Sequence, residues 1–356
     1  MNPRAPIKSR GAVSNPDCRF DPHRREAVDD GWDLGADESS APATQVTEDA
    51  TRTIITRNDS PDIGFDRSIN PYRGCEHGCI YCFARPNHAY LGLSPGLEFE
   101  TRLLAKPRAA ELLAAELRNP RYRPAPIAIG TNTDPYQPIE RQRRIMRGCL
   151  EVLAAFAHPV TITTKSWLVT RDIDILAPMA AERLASVSIS VTTLDRDLCR
   201  SLEPRAAIPA ARLEAIRRLA AAGIPVTVLV APLIPALTDH ELERILDAAK
   251  AAGATAAAYI LLRLPGEVEP LFLEWLEAHA PGRAAHIQSL LRQSRGGRLD
   301  QGAFSRRFTG GGVFADLLAQ RFRLATKRLG LGERGFDLDC AKFQPPPRVG
   351  DQLQLL

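Results

Sequence analysis

The run Ser68-Ile69-Asn70-Pro71-Tyr72-Arg73-Gly74-Cys75-Glu76-His77-Gly78-Cys79-Ile80-Tyr81-Cys82 decides how the remaining sequence is read. Three thiols fall within eight residues at C-x3-C-x2-C spacing, and Cys18 and Cys149 are too distant in sequence to complete a local four-thiolate set. Soft thiolates at this spacing suit an iron–sulfur cube, whose full ligation takes four. Cys75, Cys79 and Cys82 are therefore expected to bind a [4Fe–4S] cluster and to leave one iron open to a small chelating molecule. A structural zinc site usually has four Cys or His ligands. His77 lies inside the first cysteine interval, so only His88 is left to complete a tetrahedron. Seven cysteines without a secretory leader argue against a disulfide framework and for a reducing cytoplasm.

The aromatic Tyr81 just before the last cysteine completes a pattern that resembles the radical S-adenosylmethionine (SAM) enzymes. The runs NPYRGCEHGCIYCFARPNHAYLGL (70–93) and GTNTDPYQPIE (130–140) are similar to the spore photoproduct lyase-related branch, also labelled DNA repair photolyase-like. The resemblance spans roughly residues 55 to 345. It implies SAM chelated at the open iron and a one-electron reductant such as flavodoxin or ferredoxin. The implied chemistry is reductive cleavage of SAM to a 5′-deoxyadenosyl radical. The alternative is a non-catalytic iron–sulfur or zinc protein that interacts with nucleic acid.

Composition is that of an ordinary soluble protein, with 44% hydrophobic and 25% charged residues and a net charge of +4. No apolar run approaches the roughly 18 residues of a membrane span. Only six of the 46 basic residues are lysines, an arginine bias that fits a GC-rich genome. A cytoplasmic monomer is expected.

Residues 1–55 are proline-rich and lack apolar periodicity, so they are expected to form a flexible tail, with Arg19-Phe20 and Gly31-Trp32 as candidate staples onto the core. Within 56–280, short β-branched runs begin near 67, 126, 159, 186, 225 and 256. They alternate with helical patterns at 107–118, 139–156, 172–181, 210–222 and 240–252. Such alternation argues for a parallel α/β sheet. Six units are too few for an ordinary closed barrel, and the resemblance implies a partial (βα)6 barrel. Residues 281–356 are expected to form a basic C-terminal extension packing on the core.

On parallel α/β folds, functional residues gather at the carboxyl ends of strands. There the sequence offers Thr131, Thr133 and Asp134 for the SAM amino group, Lys165 for its carboxylate, and Ser190 and Thr192 for ribose or carboxylate oxygens. Glu203 and Arg205 are expected to clamp SAM or orient each other, and Tyr81 to contact the adenine. The resemblance implies a hydrogen-donating cysteine where this chain has Thr131, so Tyr136, Tyr90 and Cys340 become the candidate donors. Segment 281–335 carries eleven basic and three acidic residues among several phenylalanines. Arg295, Arg298, Arg306 and Arg307 are its candidate phosphate contacts. The stretch 336–343, followed by prolines 345–347, is expected to lie as a strap near the barrel mouth.

Overall fold

A computed structural model describes residues 6–21, 42–300, 303–304, 306–333 and 337–347. Gly31-Trp32 lies outside the described residues.

Six strands run parallel in chain order: β1 (Arg67–Ile69), β2 (Ile127–Ile129), β3 (Val160–Thr164), β4 (Ala185–Ser190), β5 (Val226–Leu233) and β6 (Ala256–Leu261). Ile55–Arg57 adds antiparallel to β1, and Gly332–Glu333 adds parallel to β6. The strand order is linear, so the sheet is open, as an incomplete barrel must be. The crossovers are α1 (Ala109–Leu117), α2 (Ile145–Ala155), α3 (Ile173–Ala181), α4 (Pro209–Ala221) and α5 (Leu242–Ala251). After β6 come α6 (Val268–His279), α7 (Pro281–Ser294) and α8 (Val313–Leu329). Among the described residues no helix is long and apolar enough to cross a membrane.

Alternation along the strands divides two chemistries. Ile69, Ile129, Ile162, Val187, Ile189 and Val228 join helix residues such as Leu150, Ile216 and Leu246 in the principal core. The intervening positions are Ser68, Thr161, Thr163, Ser186, Ser188 and Thr227. Closed α/β barrels fill their interior with bulky branched side chains. Here the opposite wall, from β1 to β5, is mostly small hydroxyl residues, with Ala128 and Leu229 among them. A second apolar cluster joins Cys79, Ile80 and Tyr81 to Leu264, Phe272 and Trp275 of the β6–α6 region and to Ile287 of α7. The expected boundary at 280 thus falls between two helices that share one core.

Three expectations about local structure are corrected. The pattern at 139–156 is not one helix: Arg144 turns left-handed (φ 52°) between Glu140–Arg143 and α2. That break lets the buried Glu140 carboxylate accept from the backbone N–H of Met146 at 3.1 Å, capping α2. The same carboxylate accepts from the Tyr72 hydroxyl at 2.6 Å and pairs with Arg171 at 2.8 Å. Second, part of segment 1–55 is built into the structure. Gln45–Glu48 pairs with Arg102–Ala105, which also pairs with Tyr72–Arg73, and residues 10–14 are buried. Backbone pairing and polar contacts hold these stretches, so hydrophobic patterning gave no sign of them. Third, the C-terminal strap lies at the opposite end from the mouth. Asp339 N–H donates to the carbonyl of Arg183, just before β4, and Gln344 N–H to that of Phe156, just before β3. The Phe343 ring sits among Tyr122, Phe156 and His158. This aromatic group seats the strap across the amino ends of the strands.

Glu140→Ala removes the helix cap, the tyrosine's acceptor and the Arg171 counter-charge together. It is expected to cost roughly 3 kcal/mol in urea unfolding, whereas Tyr72→Phe costs about 1 kcal/mol.

Candidate active site

The cysteine loop leaves β1 through Tyr72–Arg73 and contains no regular helix or strand between Gly74 and Cys82. Turn hydrogen bonds fold it: Gly78 N–H to the Cys75 carbonyl at 3.2 Å and Cys82 N–H to the Cys79 carbonyl at 3.1 Å. Neighbouring elements fix it from outside, with Cys75 N–H on the Phe99 carbonyl and Ile80 N–H on that of Leu202. Cys75 and Cys79 are buried, Cys82 is half-buried, and none is in a disulfide. Burial pushes all three thiols up, while the Lys165 ammonium opposes it at Cys79 and Cys82. Metal binding must therefore release thiol protons.

Three soft donors on one externally braced loop fit a cluster, each thiolate taking a separate iron. A single zinc fits poorly. Among the described residues no three His, Cys, Asp or Glu side chains are grouped to hold one ion. His88 is committed elsewhere, its Nε2 3.0 Å from the Arg102 carbonyl, and burial lowers its imidazole to about 4.

Gly130 ends β2 with φ +85°, and a Cβ there would come within 2.1 Å of the Thr163 carbonyl oxygen. Only glycine lets the next loop pack this closely on β3. The loop delivers Asp134 to the end of β3, where its carboxylate accepts from Thr164 Oγ1 (2.7 Å), Lys165 N–H (2.8 Å) and Tyr136 N–H (2.9 Å). His77 Nδ1 of the cysteine loop lies 3.3 Å away. Burial alone would raise the Asp134 carboxyl, but His77 and these donors bring it down to about 2. Asp134 is thus the joint between the cysteine loop and β3, and it fixes the backbone of Lys165. The Lys165 ammonium lies 5.8 Å from the centre of the Tyr81 ring.

The neighbouring residues are also engaged. Thr133 donates to the Tyr72 carbonyl at 2.9 Å. Thr131 accepts from Asn70, whose Oδ1 receives the Asn132 N–H. At the end of β4, Thr192 donates to Glu203 at 2.7 Å, and the Tyr81 hydroxyl donates to the same carboxylate oxygen. Arg212 pairs with the other Glu203 oxygen and donates to the Ser190 carbonyl at 3.0 Å. Glu203 and Arg205 do not orient each other. Arg205 instead pairs with Glu76 at 2.9 Å, and Thr44 donates to that same Glu76 oxygen. Arg212 went unnoticed in the sequence because one arginine among many on a helix carries no distinguishing signal.

Of the three candidate hydrogen donors, Tyr136 and Cys340 lie away from the mouth. Tyr136 is buried in the principal core, its hydroxyl beside Asp172. Cys340 belongs to the strap at the amino ends of the strands. Tyr90 is exposed and tilts against Phe20, with Arg19 over both rings. The basic segment is corrected as well. Arg295 is fully buried, donating to the carbonyls of Leu261, Leu262, Arg306 and Arg307. Burial, against the opposing pull of Asp300, brings its guanidinium down to about 10. Arg307 is paired with Asp62 at 2.5 Å, whereas Arg298 and Arg306 are exposed.

The radical SAM superfamily model matches residues 69–249, which run from the end of β1 almost through α5. The chain belongs to the radical SAM superfamily. Cofactors of that family are a [4Fe–4S] cluster and SAM. An uncharacterized protein of Mycobacterium tuberculosis is 40% identical over 231 residues, covering 64% of this chain and 68% of that protein. An uncharacterized protein of the Acidianus two-tailed virus is 30% identical over 174 residues, covering 47% and 56%. In structure, the radical SAM protein has the fold of spore photoproduct lyase. The complex of that enzyme with dinucleoside spore photoproduct matches at a TM-score of 0.59 and 15% identity, over 82% of this chain and 81% of the other.

Arg212→Met strands the buried Glu203 charge under Tyr81 and is expected to cost roughly 3 kcal/mol. Adding Glu203→Gln should recover part of that loss in a double-mutant cycle read by chemical unfolding.

Proposed function

We propose that this protein holds a [4Fe–4S] cluster through Cys75, Cys79 and Cys82 and is a radical SAM enzyme whose substrate enters from the open concave side. The observation that carries the reading is the braced three-thiol loop at the carboxyl end of β1, with Lys165 stacked over Tyr81 beside it. When bound, the cluster and SAM supply reductive cleavage to methionine and a 5′-deoxyadenosyl radical, which abstracts hydrogen from the substrate.

The chain's own residues bind and orient. Lys165 stands at this end of the strands with its backbone held by Asp134 and its ammonium over Tyr81, which suits it to the SAM carboxylate. Asp134 acts through Lys165 and His77 and is a positioning residue. Glu203 holds the Tyr81 ring in place, leaving its face to the cofactor. The Ser and Thr wall of the sheet provides room and hydroxyl partners for polar ligand groups.

Fold kinship with spore photoproduct lyase supports a nucleic-acid substrate class, as do the exposed Arg298, Phe304 and Arg306. Thr131 argues against efficient spore-type dimer reversal, because an O–H bond is a much poorer hydrogen donor than S–H.

Anaerobically reconstituted protein is expected to bind about four irons, with a reduced-cluster EPR signal that SAM alters. The triple Cys→Ala variant is expected to lose both. Full iron retention by that variant would end the proposal. Lys165→Ala should weaken SAM binding by about tenfold with iron content unchanged. For nucleic acid, replacing Arg298 and Arg306 should lower the salt slope of log K by roughly one each. Salt-independent binding would move the substrate to another class.

A further inference from the structure

Residues 10–12, within the stretch whose composition reads as a flexible tail, pack directly on the cysteine loop. Glu100, on the short helix Glu98–Thr101, is fully buried. Its Oε1 pairs with Arg85 at 2.5 Å and accepts the Ala12 N–H at 2.9 Å, and its Oε2 accepts the Gly11 N–H at 3.0 Å. Arg85 in turn donates to the loop carbonyls of Cys79 and Gly78, both at 3.0 Å. Arg10 donates to the carbonyl of Glu100 at 3.1 Å and to that of Pro42, tying the segment to the strand beginning at Gln45. Gly11 lies so tightly against the loop that a Cβ would fall 1.9 Å from the Gly78 carbonyl oxygen.

We propose that Arg10–Ala12 is a positioning clamp, which holds the Glu100–Arg85 pair against the cysteine loop and so governs how firmly that loop retains its cluster. The proposal rests on Cys75, Cys79 and Cys82 being the cluster ligands. Two backbone N–H groups stabilise the Glu100 carboxylate, and Arg85 transmits that order to the peptide units on both sides of Cys79. Without the clamp, the Glu100 carboxylate, which acts electrostatically on Cys82, loses two backbone donors. Reduction adds a further negative charge there, so the cluster becomes harder to reduce.

The test uses the full chain with Gly11→Val or Arg10→Ala. Iron release to a chelator is expected to quicken by about tenfold, the size of effect seen when outer partners of metal ligands are lost. The cluster's midpoint potential should also move negative. The metal-free protein should unfold at a somewhat lower temperature in both variants, since Ala12 belongs to the second apolar cluster and Glu100 loses buried donors. Wild-type iron release and potential in both variants would overturn the clamp. Should Gly11→Val fail to fold, Arg10→Ala decides. If the wild-type protein holds no cluster, the ligand assignment fails, and the clamp is read separately by trypsin cleavage after Arg10 in metal-free protein. Cleavage should be slow in wild type and fast in Gly11→Val, and equal rates would overturn the clamp independently.

Discussion

Arg85 has no solvent-exposed surface and spends its guanidinium on four backbone carbonyls and one carboxylate. The reason lies in the loop it serves. A chain segment without helix or strand that is nonetheless buried has carbonyl groups with no regular partners, and each one left unmade costs stability. Arg85 satisfies Gly78 and Cys79 from below, and Glu100 balances its charge. A cysteine loop with the same spacing but no such buried donor would either unfold into water or collapse onto itself. In neither state could three thiols face one cofactor.

Four carboxylates, three of them buried and Asp134 nearly so, surround the loop, each joining it to a different element. Glu100 links it to the N-terminal segment, Glu76 to Thr44 and Arg205, Asp134 to the ends of β2 and β3, and Glu203 to the end of β4 and to α4. All but Glu76, whose Oε2 has no hydrogen-bond partner, have donors on both oxygens. Buried ion pairs add little net stability, but breaking one is costly, which makes them good at enforcing a single geometry. Precision, more than stability, is what a reactive centre asks of its frame.

The sheet was legible because its signal is hydrophobic and local. All six strands fall within about three residues of their β-branched runs, and their order follows from the alternation with helices. The cysteine loop was legible because the spacing of soft donors is itself the chemistry. Long-range polar pairing was not legible. Nothing in the neighbourhood of Glu100 names Gly11 as its partner 89 residues away, nor does Glu203 advertise Arg212. Residues 45–48 show the same limit, since a strand with mostly exposed side chains is held by its backbone and leaves no apolar period to read.

Arginine shows how composition can mislead. A basic segment of mixed arginine and phenylalanine reads as a groove for phosphate and stacked bases. In the folded chain the same residue type does two different jobs. Arg295 closes the end of β6 by donating to four carbonyls, and Arg85 and Arg212 do comparable work beside the cysteine loop, all three fully buried. A guanidinium suits this better than an ammonium because its planar fork fits several fixed carbonyls at once. An arginine can contact a phosphate only if its charge remains in solvent, so the electrostatic footprint is set by the residues left over once such struts are removed. Net charge alone therefore overstates the surface available to a polyanion here: of the four arginines singled out as phosphate contacts, Arg298 and Arg306 are the two left exposed.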